Sequence, residues 1–199
     1  MDSTKILSMD EIRRVVQDLR SRATRDIQAR RGLAIFRLSC CCGLRAKEIV
    51  GLSLKDFFLF GPKPYIWVDK SITKGENGKK KSRKVPLWWD SGTKDDLTAW
   101  YNERCSDAGA EVPYICTTYN HAFQRLEPHD VGKLWTTCIR VLGQRASLSI
   151  HCGRHSFCSH ALDQGRSLAE VRDAAGHSDI STTSIYLHAI DRTLPDMFA

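Results

Sequence analysis

Apolar positions recur at helical spacing along most of the chain and give way to alternation over one stretch, between Leu54 and Trp88. Ser8-x-x-Glu11 is a capping box that opens a helix: the serine hydroxyl takes the amide three residues on, and the glutamate reaches back. In that helix Ile12, Val15, Val16 and Leu19 share one face, and Arg13, Arg14, Arg20 and Arg22 occupy the other. A second helix runs from about Asp26 to Cys42, buries Leu33, Ala34, Ile35, Leu38 and Cys42, and stops at Gly43. Gly43-Leu44-Arg45 then leads into a short helix, Ala46–Leu52. In the alternating stretch, Leu54–Phe60, Tyr65–Lys70 and Lys81–Trp88 are aromatic or β-branched runs divided by Gly61-Pro62 and Gly75–Gly78. They predict three antiparallel strands. Helical spacing returns over Ser91–Ala108 and His129–Leu142, with a short extended piece at Pro113–Thr117. Beyond Ile150 come two more helix-period segments and two polar turns. The predicted fold class is mixed α/β, mostly α-helical, with a small three-stranded antiparallel sheet. No internal repeat, low-complexity linker or second domain is visible.

Composition narrows the picture. The 199 residues, 42% of them hydrophobic, suffice for one well-buried domain. No apolar run reaches membrane-spanning length and Met1–Leu7 has no signal-peptide core, so a soluble, cytoplasmic protein is expected. A formal charge of +7 favours a polyanionic partner. Among the eight cysteines, Cys40, Cys41 and Cys42 are adjacent and Cys105, Cys116, Cys138, Cys152 and Cys158 are scattered, with no C-x-x-C pair. They read as free thiols packed like small hydrophobes rather than as disulfides or zinc ligands.

The candidate chemistry gathers late in the chain. His151, Arg154, His155, His177 and Tyr186 fall within 36 positions, and the first three, at i, i+3 and i+4, share one helix face. Arg154 carries a permanent charge and a planar donor fork suited to phosphate oxygens. Asp179 and Ser181 are candidate N-caps for the run that holds Tyr186. Earlier, Arg45 and Glu48 stand three apart at a helix start. The turn after the second strand and its flanks hold Lys70, Lys74, Lys79, Lys80, Lys81, Arg83 and Lys84 against one acid, Glu76. Such a hairpin can follow a nucleic-acid backbone; a solvated turn is the plainer alternative. His151 and His155 also copy a zinc-ligand spacing, but the residues between them are Cys152, Gly153 and Arg154, without the Glu of H-E-x-x-H and with a cation that opposes a metal.

Arg45-x-x-Glu48, Lys74 in a β-hairpin, His151-x-x-Arg154-His155, Gly176-His177 and, nine residues after His177, Tyr186 together resemble the tyrosine recombinase (phage-integrase) family. The resemblance covers essentially the whole chain. It implies the catalytic-core fold of DNA breaking-rejoining enzymes over residues 1–199, without the N-terminal core-binding domain of typical members. It implies a site-specific DNA recombinase or integrase that cuts one strand at a time through a 3′-phosphotyrosyl intermediate. No metal or nucleotide cofactor is expected, and the partners are double-stranded DNA and other copies of the chain in a tetramer, on the nucleoid.

In that reading Tyr186 is the nucleophile. At a pKa of about 10 it is only about 0.1% ionised at pH 7, a deficit of roughly 4 kcal/mol, so it needs cations and a proton acceptor. Arg45 and Arg154 clamp the phosphate oxygens. The resemblance assigns Lys74 the proton for the leaving 5′ oxygen; Lys79 and Lys81 are alternatives within the turn. His151 assists proton transfer at the tyrosine and His177 donates to the phosphate. Glu48 orients Arg45 and His151, and His155 either packs beneath the site or touches substrate. Tyr186 is expected to be partly disengaged, because most protomers of a tetramer are idle at once. Two departures from the family pattern are Gly153, where an apolar residue is usual, and Ala175, in place of leucine before Gly-His. The rival readings are a type IB topoisomerase-like relaxing activity, an idle DNA-binding regulator of the same fold, and a metal-dependent hydrolase.

Overall fold

The structure is a computed structural model and describes residues 5–73, 81–106, 113–118 and 124–187. Helix α1 (Met9–Ala23) starts at the predicted capping box: Ser8 Oγ accepts from the Glu11 amide at 3.2 Å, and the Glu11 carboxylate accepts from the Ser8 amide at 2.8 Å. Ile12, Val15, Val16 and Leu19 form its buried face. Helix α2 (Ile27–Phe36) ends sooner than its apolar spacing predicts, and the chain widens into a π-helical turn, Arg37–Cys41. Arg37 is buried there, bonded to Asp96 at 2.8 Å, Thr93 at 3.1 Å and Asp90 at 3.2 Å. Gly43 ends the run with φ 68°, and a Cβ on it would lie 2.4 Å from the Phe157 ring. Only glycine meets both conditions.

After α3 (Ala46–Gly51) come strands β1 (Phe57–Phe58), β2 (Tyr65–Val68) and β3 (Arg83–Pro86), antiparallel in the order β1-β2-β3. Ile66 pairs with Phe57 on one side and Val85 on the other, and all three are buried. The strands are shorter than the sequence predicts. Leu54–Asp56 coils into a 3₁₀ turn because the Asp56 carboxylate accepts from both the amide and the hydroxyl of Ser53, each at 2.8 Å. Pro113–Thr117 supplies only isolated bridges, Ser53 to Tyr114 and Thr117 to Arg125.

The remaining helices are α4 (Ser91–Ser106), α5 (Pro128–Cys138), α6 (His151–Asp163), α7 (Leu168–Ala175) and α8 (Ser181–Ser184). The helix predicted through Leu142 gives way to a 3₁₀ stretch, Ile139–Ser147, kinked at Gly143 with φ 62°. Trp135 of α5 anchors the main core, stacked on Phe36 at 5.3 Å with its indole N–H on the Leu148 carbonyl at 2.9 Å. Cys40, Cys42, Cys116, Cys138, Cys152 and Cys158 are buried. Among the described residues, no helix is long and apolar enough to cross a membrane. A second apolar cluster, between α6 and α7, holds Phe157, Leu162, Val171, Ala175 and Tyr186.

The Gly153 departure has a packing cause. A Cβ there would stand 2.4 Å from Ser39 Oγ and 2.9 Å from the Trp135 ring, so α6 lies too close to the π-helical turn and α5 for a side chain. Gly153→Ala is expected to destabilise the fold by about 1–3 kcal/mol, despite alanine's better helix propensity. A thermal melt equal to or above the parent's would refute that account.

Candidate active site

The start of α3 puts Arg45 and Glu48 together. Glu48 is fully buried and accepts from the Arg45 amide at 2.9 Å, while the Arg45 guanidinium stands off at 3.4 Å with its side chain 24% exposed. A third residue completes the group. Arg83, the first residue of β3, donates two parallel bonds to Glu48, at 3.0 and 2.9 Å, and a third to the Ala174 carbonyl at 2.9 Å. Burial opposes the Glu48 charge, but Arg83 and then Arg45 outweigh it and hold the carboxyl below its ordinary value. The sequence groups Arg83 with the hairpin lysines as a DNA contact. Its guanidinium instead turns inward and is spent on Glu48.

Helix α6 carries the next set. Arg154 is buried; its Nη1 donates to the Gly43 carbonyl at 2.6 Å, and its Nη2 has no partner among the described residues. Burial, and after it the neighbouring Arg45, push its pKa down to about 10, which still leaves it charged at neutral pH. One position on, His155 Nδ1 lies 2.6 Å from the Tyr186 hydroxyl. His155 thus occupies the place expected of His151, which is exposed at the first position of α6. The reason is depth: Tyr186 sits in the cluster between α6 and α7, so its hydroxyl meets the helix one turn beyond its start.

Tyr186 is 2% exposed rather than swung out. Burial, with Cys158 beside the hydroxyl, raises its pKa, and the charges of Arg154 and Arg45 oppose that rise. The His177 ring lies parallel to the phenol, 6.4 Å between centroids, and its Nδ1 meets the Thr183 hydroxyl at 2.7 Å. Gly176 ends α7 with φ 69°, and a Cβ on it would strike the Arg83 guanidinium at 2.8 Å. The glycine therefore lets the α7 terminus rest on the Arg83–Glu48 pair and aims His177. Burial, followed by Arg154, Arg45 and Arg83, pushes the His177 pKa down to about 3, so the ring is neutral.

That shift has a thermodynamic sign. Below about 6.5 the unfolded chain protonates His177 while the folded chain does not until about 3, so stability is lost progressively as pH falls through that window. Thermal melts of His177→Asn are expected to show a shallower loss between pH 6.5 and 4 than the parent. Parallel profiles would overturn this.

A cleft of about 930 Å³ opens beside the group, lined by Arg45, Lys81, Arg83, Lys84, Arg172 and His177, with Asp173 and Asp179 as its acids. Lys70, Lys81 and Lys84 are exposed. Lys74, Lys79 and Lys80 lie outside the described residues. The fold thus groups Arg45, Glu48, Arg154, His155, His177 and Tyr186, and of these Arg45 and His177 line the cleft while Glu48, Arg154 and Tyr186 are buried.

The sequence profile of the phage integrase family matches residues 5–192. The chain belongs to that family. It is 28% identical over 196 residues to the tyrosine recombinase XerD of Listeria monocytogenes, covering 98% of this chain and 61% of that protein. It is 32% identical over 164 residues to XerC of Azotobacter vinelandii, covering 82% of this chain and 50% of the other. Among solved structures, the XerA recombinase superposes with a TM-score of 0.72 at 21% identity, over 94% of this chain and 61% of that one. A lambda integrase dimer bound to a core site superposes at 0.62 and 13% identity, over 96% and 62%. The mostly helical architecture with its small antiparallel sheet is therefore that of the integrase-family catalytic domain. The chain spans about 60% of the length of the XerD relative.

Three neighbours of the integrase-family residues escape the sequence reading: Arg83 in its inward role, Cys158 and Thr183. Arg83 has a signal, since Arg83, Val85 and Leu87 alternate onto the inward face of a strand, where an arginine needs a buried acid. Cys158 follows His155 at i+3 on α6, but a thiol at that spacing reads as core. Nothing local marks Thr183.

Proposed function

We propose that this chain is the catalytic portion of a site-specific DNA recombinase or integrase that cleaves through Tyr186. The observation that carries the reading is the unpartnered Nη2 of buried Arg154, set among Arg45, His177 and the Tyr186 hydroxyl. A buried cation without a carboxylate on its free nitrogen suits a phosphate oxygen. In this mechanism Arg154 and Arg45 hold the non-bridging oxygens as negative charge grows on them. Neutral His155, accepting at Nδ1 with its own proton on Nε2, takes the phenolic proton as the tyrosyl oxygen attacks phosphorus. Its pKa is lowered by burial and then by His151 and Arg154, which keeps it in the accepting form. His177 donates from Nε2, because Thr183 holds Nδ1. The P–O5′ bond breaks, and the leaving oxygen takes a proton that the family resemblance assigns to Lys74. A free 5′ hydroxyl later reverses these steps on the same or a partner strand, so no external energy is consumed.

Double-stranded DNA is the substrate, gripped in the basic cleft by Lys81 and Lys84, with Lys70, Lys79 and Lys80 as further contacts to its backbone. Exchange between two sites uses four copies of the chain, and the enzyme works on the nucleoid in the cytoplasm. Affinity resting on phosphate contacts falls steeply with salt. The test is covalent trapping on a nicked duplex whose cleaved fragment diffuses away, drawn from a randomised pool. A denaturant-resistant adduct mapped to Tyr186 by peptide mass spectrometry is expected. Salt-sensitive binding without an adduct would favour the idle regulator, and relaxation of supercoils without recombination sites would favour the topoisomerase-like reading.

A further inference from the structure

We infer that Arg83 is a positioning residue: it takes up the charge of Glu48 so that Arg45 stays free for the substrate phosphate. The inference rests on the cleavage reading above. Glu48 has two cations within reach and shares itself unequally. Arg83 holds both carboxylate oxygens, at 3.0 and 2.9 Å, whereas Arg45 makes one long contact to Oε1 at 3.4 Å and uses its backbone amide on Oε2. Among the described residues, the Arg45 guanidinium makes no other hydrogen bond, and it lines the cleft with His177.

The geometry follows from burial. A carboxylate with no exposed surface must be neutralised within hydrogen-bond reach, and a parallel two-bond fork does this most completely. Arg83 is held rigidly in that role, because its side chain is 9% exposed and its Nε is tied to the Ala174 carbonyl. The same tie joins β3, which flanks the lysine-rich hairpin, to the helix end that carries Gly176 and His177. Without Arg83, the buried Glu48 charge has one remaining partner. Arg45 would rotate from its long contact into a full pair and leave the phosphate position.

This account makes a prediction that simple packing does not. Arg83→Met should slow adduct formation on the order of a hundredfold, as for loss of one charge-stabilising donor. Adding Glu48→Gln to Arg83→Met should restore much of the rate, because a neutral amide no longer captures Arg45. Arg83→Lys, with one donor in place of a fork, should fall between. A second readout needs no catalysis. Phenylglyoxal labelling of Arg45, followed by peptide mass spectrometry with exposed Arg25 as the reference, should fall severalfold in Arg83→Met and recover in the double variant.

Unchanged Arg45 labelling in Arg83→Met, or a folded double variant no better than Arg83→Met, overturns the inference. If Arg83→Met does not fold, the double variant, which leaves no unpaired charge at position 48, is compared with the parent; a folded double variant whose Arg45 is protected overturns it equally. Absence of any adduct from the parent chain instead refutes the cleavage reading, and the labelling still decides whether Arg83 frees Arg45.

Discussion

Replacing Tyr186 by phenylalanine is expected to abolish the covalent protein–DNA adduct down to the assay background while leaving the fold and salt-sensitive DNA binding in place. The substitution removes one oxygen from a ring that is 2% exposed and packed between α6 and α7. The apolar contacts of the ring persist, so cavity formation contributes nothing. What is lost is the 2.6 Å hydrogen bond to His155, and His155 Nδ1 is left without that partner. Those effects together cost about 1–3 kcal/mol, which lowers the melting temperature without unfolding a domain of this size. Loss of the nucleophile, by contrast, removes the reaction itself. Gel electrophoresis in denaturant reads the adduct, and a thermal melt reads the fold. An adduct that survives Tyr186→Phe would place the nucleophile elsewhere and remove the reason for reading His155 as its proton acceptor.

How much of this can be read from the chain depends on range. The capping box at Ser8 and Glu11 and the inward face of α1 follow from neighbours three and four residues apart, and they appear as predicted. Arg45, Glu48, Arg154, His177 and Tyr186 can be named because each sits in a local pattern, and the fold brings Arg45 and His177 to the cleft. Which histidine meets the phenol cannot be read. His151 and His155 share a helix face, and only the depth to which Tyr186 packs selects the second. The pairing of Arg83 with Glu48 cannot be read because its lysine-rich surroundings mask the strand alternation that turns it inward, and because its acid lies 35 residues away. The π-helical turn at Arg37–Cys41 and the break at Gly143 keep the apolar spacing while changing the backbone, so periodicity passes over both. Gly153 looks like a weakness in α6 until the close approach of Ser39 and Trp135 explains it.

Arg154→Met is expected to separate stability from function, with cleavage falling on the order of a thousandfold while the melting temperature moves little. Two opposing terms set the stability side. Removing Arg154 strands the Gly43 carbonyl, which accepts from it at 2.6 Å, at a cost of about 1–3 kcal/mol. It also removes a buried cation whose pKa has been pushed down to about 10 by burial and by Arg45, a penalty of about 3 kcal/mol. The two nearly cancel, and methionine fills much of the arginine's volume. On the function side nothing cancels: the free Nη2 and the charge that stabilises the phosphorane both disappear. Inorganic phosphate reports the same site without chemistry. It should raise the melting temperature of the parent by mass action and leave that of Arg154→Met unchanged. A variant that unfolds outright would mean that Arg154 is held for the structure. One that keeps its response to phosphate would mean that the anion is gripped elsewhere, and the unpartnered nitrogen would then no longer point to the scissile phosphate.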